Sequence, residues 1–133
     1  MCLADMLMSE IDAARPSIVA FASANAEVSE STPAGDRLIA GTPRHIARNF
    51  FTDPSGQLFA GVWESTPGKW RVKYTETEFC HITRGSVCIE DETGAAVTFR
   101  AGDSFVVPAG FSGAWQVLEP TAKLYVIFET ASK

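Results

Sequence analysis

The densest group of chemically active side chains lies in the stretch TETEFCHITRG, residues 75–85. It holds the carboxyl groups of Glu76 and Glu78, the thiol of Cys80 and the imidazole of His81. Such groups serve as transition-metal ligands and as general acids and bases. In a β-strand, successive side chains point to opposite faces, so Glu76, Glu78 and Cys80 share one face and His81 lies on the other. This alternation argues against a single ion held by both Cys80 and His81.

Other catalytic patterns are missing from the sequence. It contains no Ser-His-Asp set, no phosphate-binding loop and no dinucleotide fingerprint. A nucleophilic cysteine needs a lowered pKa, and nothing near Cys80 predicts a helix N-terminus or a fixed base. We therefore expect Cys80 to pack as a small hydrophobe. His45 has no partner at a catalytic spacing, and His81 is predicted on a sheet surface or at an interface between protomers.

Composition and charge exclude several classes of function. The chain has 133 residues, 46% of them hydrophobic and 20% charged, as expected for one globular domain with its own core. Its net charge is −5 and no basic block is present, so we expect no nucleic-acid partner, since phosphate binding needs a concentrated positive face. The longest apolar runs, such as residues 124–128, are far shorter than the roughly 20 residues that span a membrane. We therefore expect no membrane partner.

The cysteines and the N-terminal sequence indicate a cytoplasmic location. Cys2, Cys80 and Cys88 form an odd and sparse set without the spacing of a metal knuckle. Such a set fits a reducing compartment, where disulfides are rare. The first residues, MCLADMLMSEIDAARP, carry acids among apolar residues and no basic leader, which argues against a secretory signal.

Turn residues at even intervals predict an all-β fold. Residues 1–35 predict a partly flexible N-terminal arm, with one or two helical turns in 6–14 and a solvated linker in SANAEVSESTPAGD. From residue 36 to 133, short apolar runs alternate with Gly, Pro and Asp clusters, which is typical of a single β-sandwich or barrel domain. The predicted strands are 38–40, 45–51, 58–64, 70–75, 78–83, 87–90, 96–99, 104–107, 114–118 and 124–129.

The region of residues 61–129 resembles the cupins, which are small double-stranded β-helix or jelly-roll barrels. The matching segments are GVWESTPGKW, TEFCHITRGSVCIEDETG, AGDSFVVPAGFSGAW and KLYVIFE. More narrowly, these segments resemble the cupins grouped with ureidoglycine aminohydrolase and the ethanolamine-utilisation proteins. The resemblance implies an all-β cupin barrel with an N-terminal extension and a site inside the barrel. It does not by itself imply an activity, since one fold hosts many functions.

The metal-binding pattern of the cupins is largely lost here. Counting back from Gly85 places the expected glutamate on Glu78, which is present, but the two expected histidines fall on Val72 and Tyr74, or one residue earlier. The second motif keeps Gly102, Pro108 and Gly110, yet its histidine falls on Gly113. A lone glutamate cannot hold a divalent transition metal firmly. We therefore predict no metal and no other cofactor; a weak site built from Glu76, Cys80 and His81 is the alternative.

The resemblance, combined with strand alternation, also implies which residues face the lumen. If Glu78 keeps the direction of its cupin counterpart, residues 72, 74, 78, 80 and 82 face inward, and Gly113 and Trp115 enter from a later strand. Gly113 would then open the wall by removing the bulk of a histidine. The predicted ligand-binding residues are Trp70, Val72, Cys80, Gly113 and Trp115.

Glu78, Tyr74 and Lys123 are the predicted catalytic residues. A carboxyl group in an apolar lumen is a usual general acid or base, and the Tyr74 hydroxyl could assist it. Lys123 matches a lysine that is common in the resembled subgroup, and it would pair with Glu78 if its side chain points inward. That direction stays open, because Pro120 makes the register of the preceding turn uncertain. A Glu–Lys pair could also be purely structural.

Two functions of different class follow. The first is a metal-independent enzyme that binds a small polar metabolite in the lumen and uses Glu78 as general acid or base. The second is a non-catalytic module that binds a small molecule or a protein, with the aromatic residues simply filling a narrow barrel. In both, we expect a homodimer, with the strand near residues 45–51 and the N-terminal arm pairing across a two-fold axis.

Overall fold

The computed structural model of the protein describes residues 15–131. Within this range the chain forms nine β-strands and no helix. The strands are β1 (Glu27–Ser31), β2 (Leu38–Gly41), β3 (His45–Thr52), β4 (Leu58–Ser65), β5 (Gly68–Lys73), β6 (Thr77–Asp91), β7 (Ala96–Arg100), β8 (Ser104–Val107) and β9 (Ser112–Phe128). All pairings between them are antiparallel.

The nine strands form one continuous sheet, and its two long strands, β6 and β9, divide it into two halves that we call the first and the second sheet. The second half of β9 lies between β4 and the first half of β6, giving the order β1-β3-β4-β9-β6-β8. The first half of β9 lies between β5 and the second half of β6, giving the order β2-β5-β9-β6-β7. Two sheets that share their central strands face each other across one core. This is the all-β jelly-roll architecture that the sequence predicts, and that prediction is confirmed.

The bend between the two sheets depends on a glycine. The register between β6 and β9 shifts between Ile82 and Val87, and Gly85 within this segment has a φ of 87°. A Cβ on Gly85 would lie 2.4 Å from both the Pro120 carbonyl oxygen and the hydroxyl of Thr121. That hydroxyl is buried and hydrogen-bonded to the backbone of Ser86. The two long strands therefore cross at a point that admits no side chain.

The core lies between the two sheets and is unusually aromatic. Its fully buried members come from β5, β6, β8 and β9, with half-buried aromatic rings packed against them. The Phe99 and Phe105 rings stack with their centroids 3.9 Å apart, and the Trp63 and Trp115 rings meet edge to face at 6.0 Å. Aromatic rings bury a large area each, so a few of them suffice to fill a small barrel.

The observed strands differ from the predicted ones in three respects. The linker interpretation of residues 23–36 is wrong for β1, which pairs with β3 although all five of its residues are exposed. The pairs of strands predicted at 78–83 and 87–90, and at 114–118 and 124–129, are single strands, because the chain bends there without leaving the sheet. The helical turns predicted at 6–14 lie outside the described residues. No helix that could cross a membrane is found in residues 15–131.

Candidate functional site

A cavity of about 280 Å³ lies inside the barrel, against the inner face of the first sheet. Residues two apart on a strand point to the same side, and the lining follows this rule on β3, β5 and β9. The walls are mainly aromatic and aliphatic, with one acid and one lysine among them. The lining residues are His45, Ala47, Trp63, Trp70, Val72, Tyr74, Glu78, Trp115, Lys123, Tyr125 and Ile127.

A buried ion pair occupies the floor of the cavity. The Lys123 Nζ lies 2.8 Å from Glu78 Oε2, and each of the two side chains is only 6% exposed. The lysine side chain also passes Cys80, whose Sγ lies 3.7 Å from Nζ. Removing either charge alone would leave the other one buried without a partner, which is strongly unfavourable. The pair therefore persists as a unit.

Two indole rings complete the surroundings of the lysine. The Lys123 Nζ lies 4.2 Å from the ring centroid of Trp115 and 4.7 Å from that of Trp63, within the range of cation–π attraction. Burial is the largest single influence and by itself would lower the pKa of Lys123, but the charge of Glu78 together with Cys80 and the hydrogen bonds to both outweighs it, and the pKa is raised from 10.5. The ammonium group therefore stays charged at every physiological pH.

Tyr74 holds the second oxygen of the acid. Its hydroxyl donates a hydrogen bond of 2.8 Å to Glu78 Oε1. Burial, and then the nearby negative charge of Glu78, raise the pKa of Tyr74 far above its ordinary value of 10.0. The phenol consequently keeps its proton. Both carboxylate oxygens of Glu78 thus accept a bond, one from a cation and one from a neutral hydroxyl.

Cys80 lies behind this group and does not line the cavity. It is fully buried, and burial raises the pKa of its thiol to about 12, although Lys123 acts in the opposite direction. A thiol that keeps its proton is neither a nucleophile nor a metal ligand at neutral pH. The geometry matches the expectation of a small packed hydrophobe.

His45 and Trp115 bring unpartnered nitrogens to the cavity wall. The His45 ring packs against Trp70 at 4.6 Å and Trp63 at 5.1 Å between centroids. Burial, and then the charge of Lys123, lower the pKa of His45 below 6.5, so its imidazole is neutral at physiological pH. Its Nε2 and the Trp115 Nε1 are buried with no hydrogen-bond partner among the described residues. A buried polar group without a partner carries a penalty of about 1–3 kcal/mol.

Tyr125 closes the cavity on the side of β3 and β4. Its hydroxyl donates a 2.8 Å hydrogen bond to Asn49 Oδ1. It lies above Gly61, where an added Cβ would come within 2.6 Å of the tyrosine oxygen and 2.2 Å of the Arg48 carbonyl oxygen. Gly61 therefore makes the space that Tyr125 fills.

Six of the eight residues predicted for the site lie together at this cavity. Glu78, Tyr74 and Lys123 are in direct contact, so the open question of the lysine direction is answered: its side chain points inward. The other three that line the wall are Trp70, Val72 and Trp115. Cys80 lies behind the wall, as described above.

Gly113 lies away from this cavity, in contrast to its predicted position in the lumen wall. It lines a separate polar surface groove, between β5 and the end of β6. A Cβ on Gly113 would lie 2.0 Å from the Glu90 carbonyl oxygen and 2.9 Å from the Phe111 ring. The position is thus closed by backbone and by Phe111, and it does not widen the lumen.

Sequence reasoning missed five cavity residues, His45, Ala47, Trp63, Tyr125 and Ile127. They come from strands β3, β4 and β9, and β3 lies outside the segment on which the resemblance rests. Alternation could have found Tyr125, which follows Lys123 by two residues. Trp63 lies opposite Lys123 in the β4–β9 register and Ala47 opposite Trp63 in the β3–β4 register, and no sequence signal gives such pairings.

The residues at the cavity do not fit a divalent transition metal. Val72 and Tyr74 stand where the cupin pattern has histidines, and both Glu78 oxygens are engaged. The proposed substitute ligand His81 is hydrogen-bonded through Nδ1 to Ser104, while Cys80 is on the inner side. In the described part of the chain, no three His, Cys, Asp or Glu side chains form a group that could hold a metal ion. We derive no metal chemistry for this site.

Comparison with solved structures gives consistent matches. A protein of unknown function of the DUF861 family from Pseudomonas syringae pv. tomato is 27% identical with a TM-score of 0.70, over 79% of this chain and 45% of that one. The Clostridium difficile EutQ protein is 19% identical with a TM-score of 0.60, over 67% and 65% of the two chains. A putative ethanolamine utilization protein Q from Salmonella typhimurium is 16% identical with a TM-score of 0.58, over 80% and 97%.

These matches differ in how much of the other protein they cover. The chain spans less than half of the Pseudomonas protein and just under two thirds of the Clostridium protein. No curated protein matches the chain. The model of the EutQ-like cupin domain matches residues 52–125, which is more than half of the chain and includes Glu78 and Lys123. The chain therefore belongs to the EutQ-like cupin domain family.

Proposed function

We propose that the protein binds a small, polar metabolite without net charge in the barrel cavity. The observation that carries this proposal is the buried Lys123–Glu78 pair inside a cavity lined mainly by aromatic side chains. The charges of Lys123 and Glu78 cancel, so a ligand with a net charge would find no unpaired counter-charge in the cavity. A neutral or zwitterionic ligand needs none. The volume of about 280 Å³ is near the lower limit of ligand pockets and restricts the ligand to a small metabolite.

The polar groups at the wall indicate how such a ligand would be held. The oxygens of Tyr74 and Tyr125 keep lone pairs, since each hydroxyl donates its proton elsewhere. A ligand with an N–H or O–H donor satisfies these groups. The indole faces favour a flat or apolar portion beside them.

The catalytic form of this proposal uses Glu78 as general acid or base. Both of its oxygens already accept hydrogen bonds, so a ligand proton would reach it through Tyr74, whose hydroxyl can accept one proton while passing its own to Oε1. Lys123 would hold the carboxylate in place during the transfer. This arrangement supports a metal-independent proton transfer on a small metabolite.

The names of the relatives do not narrow the ligand further. The two ethanolamine-utilisation proteins are under 20% identical to this chain, which supports a common fold and no common substrate. The aminohydrolase activity of the resembled ureidoglycine enzymes is not transferred, because the histidine positions hold Val72, Tyr74 and Gly113. The free thiols of Cys80 and Cys88 fit a reducing compartment, and we include a cytoplasmic location in the proposal.

A thermal-shift screen of small metabolites, followed by calorimetry, tests the proposal. We expect neutral or zwitterionic compounds to raise the melting temperature of the wild type. Trp115→Phe makes the aromatic wall smaller while keeping a ring, and it should weaken binding by about 10-fold, or 1.4 kcal/mol. Leu118→Gln, outside the cavity, serves as the control with unchanged affinity. Binding restricted to strongly charged compounds, or unaffected by Trp115→Phe, would contradict the proposal.

A further inference from the structure

The polar surface groove that Gly113 lines is separate from the cavity in the lumen, and we call it the outer groove. It has a volume of about 610 Å³ and lies over the first residues of β9. The short side chains of Ser112 and Ala114 form its floor together with Gly113. Its walls carry charges of both signs. The charged residues at the groove are Asp36, Arg37, Arg71, Lys73, Glu90, Asp91 and Glu92.

Three basic side chains line one wall of the outer groove. Arg71 and Lys73 are two residues apart on β5, so they point to the same side of the sheet. The Arg71 backbone N–H donates a 2.8 Å hydrogen bond to the Arg37 carbonyl oxygen. Arg37 directly precedes Leu38, which pairs with Trp70. Arg37 therefore lies opposite Arg71, and the three cations are neighbours on one side of the sheet.

These three cations have no anionic partner among residues 15–131. The ion pairs within that range join other side chains, and none of the side-chain hydrogen bonds there comes from Arg37, Arg71 or Lys73. Like charges that lie directly opposite each other on neighbouring strands destabilise a sheet. An anion bound between the two guanidinium groups would remove this repulsion.

The opposite wall of the outer groove is acidic, but two of its carboxylates are already engaged. Arg71 lies opposite Ala114 and Ala114 opposite Glu90, so the two walls are two strand spacings apart, or about 10 Å. The Glu90 carboxylate is paired with Lys69 at 3.0 Å, across β9. Asp91 Oδ1 accepts backbone hydrogen bonds from its own turn. The unpaired charge of the groove is therefore concentrated on the basic wall.

We propose that the outer groove binds the anionic oxygen group, phosphate or carboxylate, of a small metabolite. The planar guanidinium groups of Arg37 and Arg71 match such oxygens with paired hydrogen bonds, and Lys73 adds a third positive charge. Asp36 and Glu92 also line the groove, and together with the net charge of −5 they repel a long polyanion such as a nucleic acid. The groove therefore favours a ligand with one anionic end and a far end that donates hydrogen bonds. This site lies outside the lumen and does not depend on the function proposed for it.

Titration of the 15N-labelled protein with sodium phosphate and with sodium succinate, followed by NMR at constant ionic strength, tests this proposal. We expect the amide signals of Lys73 and Ser112 to shift with a dissociation constant in the millimolar range, while sodium chloride leaves them unchanged. The anion that binds more tightly shows whether the group is a phosphate or a carboxylate. Arg71→Gln should weaken binding by about 10-fold, because it removes one of the two guanidinium groups. Arg100→Gln is the matched control with unchanged affinity, since Arg100 is an exposed arginine of the same sheet outside the groove.

A variant of the acidic wall should have the opposite effect on the same binding. Glu92→Gln removes a negative charge that faces the anion across the groove, so it should tighten phosphate binding by about 2- to 3-fold. Both Glu92 and Arg71 are exposed, and circular dichroism of the two variants should match that of the wild type.

Three results overturn the proposal. The first is the absence of a shift with either anion. The second is a loss of affinity in Arg100→Gln as large as that in Arg71→Gln, or an affinity that Glu92→Gln does not increase, because the attraction is then a general property of the surface. The third is a set of anion-dependent shifts at Tyr74 and Lys123 instead, because the anion then binds in the lumen.

Discussion

At the residue scale, the contact between Lys123 and Glu78 depends on how the lysine side chain extends along the barrel, which the sequence does not predict. In the β6–β9 register, Lys123 lies opposite Ile82, whereas Glu78 lies four residues earlier on β6. The extended lysine side chain spans this gap past Cys80. Family resemblance and alternation identified all three residues of the Tyr74–Glu78–Lys123 group. The direction of Lys123 stayed open because it depends on how β9 passes Pro120, which is a tertiary property.

The buried pair predicts that the stability losses of its two single variants do not add up in the double variant. Glu78→Gln leaves the Lys123 ammonium buried without an anion, and Lys123→Met leaves the carboxylate without a cation, so each should lower the free energy of unfolding by about 3–5 kcal/mol. The double variant keeps the volume and removes both charges, and it should recover most of that loss. Urea unfolding of the four proteins measures the coupling.

The exposed pair between Arg48 and Glu64 provides the control for this cycle. Both of its side chains are about one third exposed, and Glu64→Gln should lower the free energy of unfolding by at most about 1 kcal/mol. Additive losses in the double variant of Glu78 and Lys123 would show that their contact contributes little.

Buried Cys80 predicts a loss of stability in alkaline solution. Its pKa is 9.0 in the unfolded chain and about 12 in the folded protein, so between these values the unfolded state loses a proton that the folded state keeps. Stability should therefore be fully present below pH 9 and decline as the pH rises toward 12. Cys80→Ala removes this contribution, and its unfolding free energy should decline less steeply over the same interval in urea titrations. If the unfolding free energies of the wild type and Cys80→Ala decline equally steeply with pH, the loss of stability does not come from Cys80.

At the element scale, the sequence predicted where strands lie but not which neighbouring strands are continuous. Gly85 and Pro120 are turn signals, so each of β6 and β9 was predicted as two strands. Both elements instead bend within one strand, because Gly85 adopts a positive φ and the Thr121 hydroxyl bonds the backbone at the crossing. β1 carries no apolar signal, since all its side chains are exposed, and it is held by its backbone pairing with β3.

Gly85 is the position in the barrel where we expect a substitution to lower the free energy of unfolding most. Gly85→Ala combines a φ of 87° with a Cβ placed 2.4 Å from two buried atoms, and it should lower the free energy of unfolding by more than about 3 kcal/mol. Gly94→Ala is the matched control, because Gly94 has a φ of 91° but open space around its Cβ position. It should lose only about 1 kcal/mol, from backbone strain alone. Equal losses in urea unfolding of the two variants would mean that the crossing has room to adapt.

At the scale of the whole molecule, the two long strands present different groups to the inside and to the outside of the barrel. The inward residues of β6 and β9 form the ion pair, and their outward neighbours are exposed apolar side chains, as Glu78 and Phe79 or Lys123 and Leu124 illustrate. Strand alternation therefore separates the cavity from the outer surface. A charge placed on an outward residue does not enter the cavity.

The homodimer expected from the sequence predicts a melting temperature that depends on protein concentration. When unfolding also dissociates the chains, mass action stabilises the folded state as the concentration rises. The melting temperature of the wild type should therefore increase over a 100-fold dilution series, read from low to high concentration. Sedimentation equilibrium over the same concentrations should give twice the 14.3 kDa mass of one chain. A melting temperature that does not change with concentration, together with the mass of a single chain, would contradict the homodimer.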